Sequence, residues 1–255
     1  MIIKDNFLNI KIIMILKKLM PFKVGKKEAA VYCLTILVFL GVSILWILAE
    51  TSWARQTTLE SHHLERLVDI LQKRYDQTGS IAAHFNQKTF AVGDTEGVSA
   101  QGQVYFKRPH LMRWEYEKPA KQLIVTSGDQ VYIYEVEAKQ VTVIPRRQFL
   151  SSEISRAFFF GKGDLRHDFN IAPPPPELDN PDWSLCLIPK KRIPQLKKLL
   201  ITLDPHSHLV SRIIIEDQMG GRTIIGFSDI RLNPRLSPSL FRFSIPKGVE
   251  VYRGQ

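Results

Sequence analysis

Cysteine is nearly absent from this chain, which has only Cys33 and Cys186 among its 255 residues. Cys33 lies inside a long uncharged stretch, and the bulky Tyr32 before it stands where a lipidation site needs a small residue. One cysteine remains outside that stretch, so an internal disulfide is excluded and the core must hold by packing alone. We predict that Cys186, between two leucines, is a buried strand residue.

Familiar catalytic motifs are also lacking. The sequence contains no GxSxG, no phosphate-cradling glycine loop and no HExxH. His206 and His208 could together bind a metal in a predicted turn, but no further ligand is evident. Asp164, His167 and Asp168 lie close in sequence without an accompanying nucleophile. The sequence therefore predicts a protein that is not an enzyme and that carries no cofactor and no metal.

Nucleic-acid signatures are absent too, although the formal net charge is +10. The cations are spread along the chain, with no recognition helix and no RNA-binding strand motif. We expect no nucleic-acid partner. A diffuse basic excess suits contact with anionic lipid or acidic proteins.

Residues 1–54 have the layout of an export signal. An uncharged run covers Ala29–Ala49, with lysines before it and small residues after it that lead to a cleavage site behind Ala54. We predict a signal peptide here and one exported domain over 55–255. The run is long for a signal, so an uncleaved inner-membrane anchor is the alternative. Met20 is a second candidate start.

The chain after this segment predicts one helix followed by short strands. Thr57–Gln77 carries an apolar stripe of helical period, and the helix can either pack on a core or plug the mouth of a sheet. From Ser80 the period becomes two. The predicted strands lie at Ile81–Phe85, Gly102–Lys107, Leu111–Glu117, Leu123–Thr126, Gln130–Val136, Gln140–Ile144, Trp183–Ile188, Leu196–Asp204, Leu209–Asp217, Thr223–Arg231 and Phe241–Ile245, and the tail is a candidate for a last strand.

Links of a few residues require antiparallel neighbours, because a parallel crossover needs many more residues. A single sheet of this many strands must curl, since sheets twist. A short helix is expected at Phe149–Gly161, and the prolines of Pro173–Pro176 form an extended loop. The predicted fold is mainly β, an unclosed antiparallel β-barrel with helices over its open side.

Aromatic side chains are concentrated on these strands, with no catalytic group beside them. Met112, Trp114 and Tyr116 share one face of their strand. Tyr132 and Tyr134 lie on a strand that is apolar on both sides, which needs a cover such as the helices. This composition suits an apolar ligand in a concave site. Ordinary core packing is the better account of any single aromatic.

Four blocks of sequence resemble the periplasmic lipoprotein carrier family LolA, in the same order and at similar spacing. They are FNQK at Phe85–Lys88, GQVYFKRPHLMRWEY at Gly102–Tyr116, VTSGDQVYIYE at Val125–Glu135 and FRFSIPKGVEV at Phe241–Val251. The resemblance covers essentially all of residues 57–252. It implies an unclosed barrel with a helical lid over an apolar cavity.

The resemblance also implies a function. It is that of a monomeric periplasmic carrier that takes acylated lipoproteins from an inner-membrane ABC-type transporter towards the outer membrane, where a receptor can accept them. The family's functional arginine corresponds to Arg108, expected to latch the lid and to act in cargo transfer. Met112 stands where the family often has an aromatic residue. The candidates for lining the cavity are Phe85, Phe106, Met112, Trp114, Tyr116, Tyr132, Tyr134, Phe158 and Phe159.

Two other interpretations stay open. The same scaffold can carry another lipid or a glycolipid, which would co-purify with the protein. It can also form a membrane-anchored adaptor that senses lipoproteins, which failure to cleave after Ala54 would favour.

Overall fold

The structure, a computed structural model, describes residues 62–149, 165–193 and 196–254. All of them belong to one compact unit, Leu59–Gln255. The predicted signal segment, the candidates Phe158 and Phe159, and the predicted helix at Phe149–Gly161 beyond its first residue lie outside the described residues. Within those ranges, no helix has the length and apolar character needed to cross a bilayer.

The described residues are mostly strand. The helices are α1 (62–76), α2 (Arg146–Phe149) and α3 (Leu165–Asp168). The strands are β1 (Ser80–Phe90), β2 (Val98–Lys107), β3 (Leu111–Lys118), β4 (Gln122–Ser127), β5 (Gln130–Glu135), β6 (Gln140–Pro145), β7 (Phe169–Ala172), β8 (Ser184–Pro189), β9 (Lys198–Leu203), β10 (Val210–Glu216), β11 (Arg222–Leu232) and β12 (Glu250–Arg253).

The strands form one 12-stranded sheet in the order β12-β6-β5-β4-β3-β2-β1-β11-β10-β9-β8-β7. Strands β1 to β6 form one meander and β7 to β11 a second, and the two join where β1 pairs with β11. β7 and β12 stay at the two ends of the order, so the sheet is unclosed. The predicted fold class is therefore confirmed.

Helix α1 packs its apolar stripe on one side of this sheet. Leu67, Val68 and Leu71 are at most 2% exposed, and they cluster with Ile201 of β9 and Ile213 of β10. Positions three and four apart lie on one helix face, which is why this sequence buries one side of the helix. We call the side of the sheet that α1 covers the inner face, and the opposite side the outer face.

A second cluster continues the inner face over β1 to β3. Its buried members are Ala83, Phe85, Val104, Phe106, Met112, Trp114 and Ile225. On the outer face, Cys186 packs with Leu200 and Ile214 and is only 5% exposed. The prediction of a buried strand cysteine is confirmed.

The C-terminal segment corrects one predicted strand. Phe241–Ile245 does not form a strand; a 3-10 helix at Pro238–Phe241 precedes irregular chain. Pro238 lies in its first turn, and the side chain of Ser237 caps it by accepting a bond from the Ser239 amide. Farther on, β12 pairs with β6 in parallel, which the expectation of a purely antiparallel sheet did not include.

Candidate functional site

An apolar cavity of about 90 Å³ lies between the C-terminal half of α1 and the inner face. Its walls come from α1, from β1, β2, β10 and β11, and from the turn between β9 and β10. The apolar lining includes Leu71, Ala83, Phe106, Ile213, Phe227 and Ile230. The cavity is thus a gap between the helix and the sheet.

Strand register explains why this gap exists. β2, β1, β11 and β10 are consecutive neighbours in the sheet, so their inner-face side chains lie side by side. Phe85 is opposite Phe227, and Ala83 is opposite Val104. Ala83 is small, and protein interiors are otherwise packed without voids of this size. A small side chain at this central position leaves room beneath the helix.

Arg108, just after β2, joins the sheet to the end of α1. Its guanidinium Nη2 donates to the main-chain carbonyl of Tyr75, and its own amide donates to the carbonyl of Gly79 at 2.9 Å. The last carbonyls of a helix lack intrahelical donors, and a cation is favourable at that end. Arg108 also lines the cavity. Its predicted role as a latch stays a prediction, and this contact is the one such a latch needs.

Other bonds hold the same helix end. Thr78 Oγ1 donates to the carbonyl of Arg74 at 2.7 Å, and the Gly79 amide donates to Asn233 Oδ1 at 2.7 Å. Arg74 Nη2 donates to the carbonyl of Ser207, in the turn between β9 and β10, at 2.9 Å. The end of α1 is therefore tied to three separate parts of the sheet.

The charged side chains that line the cavity are basic. Burial raises the pKa of the Tyr75 phenol above its ordinary value, and the nearby Arg108 charge acts against that rise. Arg74, Arg108 and His208 line the cavity, whereas no carboxylate does so among the described residues.

The predicted aromatic candidates of β1 to β3 form a packed group beside the cavity. Phe85 meets Trp114 edge-on with ring centroids 4.8 Å apart, and meets Tyr116 at 4.9 Å. Phe106 lies 6.0 Å from Trp114 and itself lines the cavity. Met112 is buried in the same cluster. Of these candidates, Phe106 therefore lies at the cavity wall and the others form the layer next to it on the inner face.

Tyr132 and Tyr134 require a correction, because they lie on the outer face. Tyr132 is opposite Val125, which is opposite Arg113, while Trp114 belongs to the other set of cross-strand partners. Directly opposed residues share a face, and successive residues alternate. Both tyrosines contact Phe243, with centroids 5.1 and 5.8 Å away. They do not line the cavity, and the cover on their side is the C-terminal segment rather than a helix.

Several lining residues were not among the predicted candidates. Phe227 sits on a correctly predicted strand, but its place opposite Phe85 depends on a pairing between distant parts of the chain. Arg74 lies on the predicted helix but outside its apolar stripe. His208, considered for a metal with His206, stacks on Trp183 with centroids 5.4 Å apart. In the described ranges, no three His, Cys, Asp or Glu side chains come together as metal ligands.

Comparison with known proteins gives a consistent set of matches. The sequence profile of the family described as "Outer membrane lipoprotein carrier protein LolA" matches residues 76–244. An outer-membrane lipoprotein carrier protein of Nitrosomonas europaea is 34% identical over 60% of this chain and 73% of its own length. One of Cupriavidus pinatubonensis is 31% identical over 74% and 89%. A crystal structure of a LolA superfamily protein from Nitrosomonas europaea covers 70% of this chain and 97% of that chain, at 16% identity and a TM-score of 0.41.

Proposed function

This chain belongs to the LolA family of outer-membrane lipoprotein carriers, and on that premise we propose that it binds the acyl chains of lipoproteins in the cavity beneath α1. The observation that carries the proposal is the position of this apolar cavity between helix and sheet, with Arg108 at the helix end. The matched residues include Arg108 and nearly all of the sheet. The family's description names a lipoprotein carrier and no catalytic activity.

Burial of acyl chains sets the demand on such a carrier. Each buried CH2 contributes about 0.8 kcal/mol, so a lipoprotein with several chains does not leave a membrane unaided. A carrier must offer apolar surface of similar quality and must also release the cargo. A wall of loosely fitted apolar side chains meets both requirements better than a tightly complementary one.

The cavity volume supports a proposal about loading. About 90 Å³ is less than the roughly 150 Å³ of a cavity that holds benzene. An acyl chain is larger, so cargo has to widen the gap between α1 and the sheet. The bond from Arg108 to the Tyr75 carbonyl connects the helix end to the sheet beside that gap. We propose that it forms in the empty protein and breaks when cargo enters.

The remaining roles follow as parts of the same proposal. Residues 1–54 act as a signal peptide, and 55–255 form a single periplasmic carrier domain that works as a monomer. An inner-membrane ABC-type transporter loads it, and an outer-membrane receptor unloads it. Phe106 lines the site directly, while Phe85, Met112, Trp114 and Tyr116 support its wall. Phe158 and Phe159 are proposed as further lining residues.

Release of lipoproteins from spheroplasts tests this function. The protein, purified after expression of its full reading frame, is added to energised spheroplasts, and acylated lipoproteins are sought in the soluble fraction, bound to it. We expect release that depends on the added protein. No release, alongside a working control carrier, would reject lipoprotein cargo, and mass spectrometry of co-purified lipids would then test the same scaffold as a carrier of another lipid. Retention of the protein in the membrane through an uncleaved N-terminus would favour the sensing adaptor.

A further inference from the structure

Two arginines line the cavity, and their recorded partners are uncharged. Arg74 donates to the carbonyl of Ser207 at 2.9 Å, and Arg108 donates to the carbonyl of Tyr75. Among the ion pairs of the described residues, neither arginine takes part. Both side chains are half-buried. Within the described part of the chain, two cations thus border an apolar cavity without forming an ion pair.

Two aspartates close to these arginine contacts have other hydrogen-bond partners. Asp204 accepts from the amide of Ser207 at 2.7 Å and from its hydroxyl at 2.8 Å, within its own turn. Asp76, near the end of α1, accepts from Gln72 Nε2 at 3.1 Å. Neither aspartate lines the cavity. Among the ion pairs of the described residues, neither of these two aspartates pairs with Arg74 or Arg108.

Such an arrangement has a definite preference for ligand chemistry. A hydrogen bond from a guanidinium to an ionised oxygen is about twice as strong as one to a neutral carbonyl. The guanidinium fork also fits a carboxylate or a phosphate with two parallel bonds. Exchanging a main-chain carbonyl for an anionic oxygen is thus favourable for either arginine. The apolar wall next to them suits the chain attached to such a head.

We propose that this cavity binds amphiphiles with an anionic head, with the acyl chain against the apolar wall and a carboxylate or phosphate held by Arg74 and Arg108. The inference rests on the proposed function, in that the same cavity takes acyl chains, and it adds a preference among free lipids for those with an anionic head. Fatty acids and acidic phospholipids are the classes that fit. Neutral esters of the same chain length fit the wall but not the arginines.

A fluorescent fatty acid and its uncharged methyl ester test the proposal on the unaltered protein. Dansyl-undecanoic acid and its methyl ester are titrated into the purified protein, and affinity is read from dansyl emission. We expect the acid to bind at least about tenfold more tightly than the ester, since a single charge-assisted contact has an effect of this size. Equal affinities, or binding of neither probe, would overturn the proposal without any substitution being made.

A competition experiment then identifies which anionic head group the cavity prefers. Oleate and palmitoyl-lysophosphatidate are each added to the complex with the dansyl acid, with methyl oleate and inorganic phosphate in parallel. Displacement by either acidic lipid, at about a tenth of the methyl oleate concentration, supports the proposal and shows whether carboxylate or phosphate is preferred. Displacement by inorganic phosphate alone would mean an anion site unconnected with the apolar wall, and would overturn it.

Substitution of Arg74 provides the residue-level test. R74Q should weaken the acid about tenfold and leave the ester unchanged, and R74K should fall between. R66Q is the matched control, because Arg66 is an exposed residue of the same helix and does not line the cavity. An equal loss in R66Q would indicate a general charge effect and contradict the proposal. Lipoprotein release from spheroplasts is scored separately, so a carrier that shows no acid preference rejects this inference alone.

Discussion

Arg108 donates a hydrogen bond from its guanidinium to the main-chain carbonyl of Tyr75, in the last turn of α1. The same carbonyl accepts from the amide of Thr78 at 3.1 Å. The carbonyl oxygen of Tyr75 therefore accepts two hydrogen bonds, one from the chain that ends the helix and one from the arginine that follows β2. A substitution of Arg108 should therefore lower the local stability of this helix end more than that of the sheet.

Replacing Arg108 tests this relationship. In R108L we expect a loss of about 1–2 kcal/mol in local stability, seen as faster amide hydrogen exchange at Thr78 and little change in the central strands. R108K keeps the charge and should retain part of the protection. R146L is the matched control, because Arg146 donates to the carbonyl of Gly128 at 3.1 Å in another turn. Unchanged exchange at Thr78 in R108L would show that this contact does not hold the helix end.

The second prediction concerns Gly102, on β2. A Cβ built there would lie 1.8 Å from the carbonyl oxygen of Glu115 on the neighbouring strand. Main chain cannot move aside as a flexible side chain can, so G102A should lower the free energy of unfolding by at least about 2 kcal/mol. G226A is the matched control on β11, where the Cβ would meet nothing closer than 3.9 Å. Urea unfolding of both variants gives the comparison, and similar midpoints would contradict it.

The two faces of the sheet predict different effects of two similar substitutions. Phe106 lines the cavity, whereas Tyr132 packs on Phe243 across the outer face. F106L should change the affinity of an apolar probe such as phenylnaphthylamine by several-fold. Y132L should lower stability by about 1–3 kcal/mol while leaving probe affinity as it is. If fully folded Y132L bound the probe more weakly, Tyr132 would belong to the binding site, contrary to this prediction.

Asp204 predicts an acid-sensitive turn beside the cavity. The amide and hydroxyl of Ser207 hold the pKa of Asp204 below its ordinary value. A lowered folded pKa means that the stabilisation is complete above the unfolded pKa, about 4, and is lost as the pH falls through the folded pKa. D204N should therefore lose less stability than the original protein between about pH 5 and about pH 2. Parallel pH profiles of the unfolding free energy would count against this assignment.

Much of the local structure could be predicted from the sequence. Alternation located β3 to β6 within one or two residues, because turn residues separate short strands whose faces differ in polarity. The stripe on α1 identified its buried side. β7 was not foreseen, since four residues are too few to show a period. The strand expected over Phe241–Ile245 does not form, because a 3-10 helix takes in Phe241 and Phe243 packs on Tyr132 without strand pairing.

The candidate site was predicted less completely than the fold. The resemblance to a family pointed to Arg108, and the structure brings it to the helix end and the cavity. The grouping of Met112, Trp114 and Tyr116 on one strand face agrees with the structure, whereas Tyr132 and Tyr134, also named as lining candidates, lie on the opposite face. Arg74 and Phe227 carried no local signal. Their importance comes from neighbours that are distant in sequence.

By itself the sequence determined the type and order of the elements, because the period of apolar residues and the turn chemistry act within a few residues. Only the tertiary structure decided which face of each strand meets α1, and which strands stand beside β1. A strand's alternation defines two faces but does not say which is inner, since that depends on register with partners far along the chain. The cavity, its two arginines and the cover over Tyr132 and Tyr134 all follow from those long-range pairings.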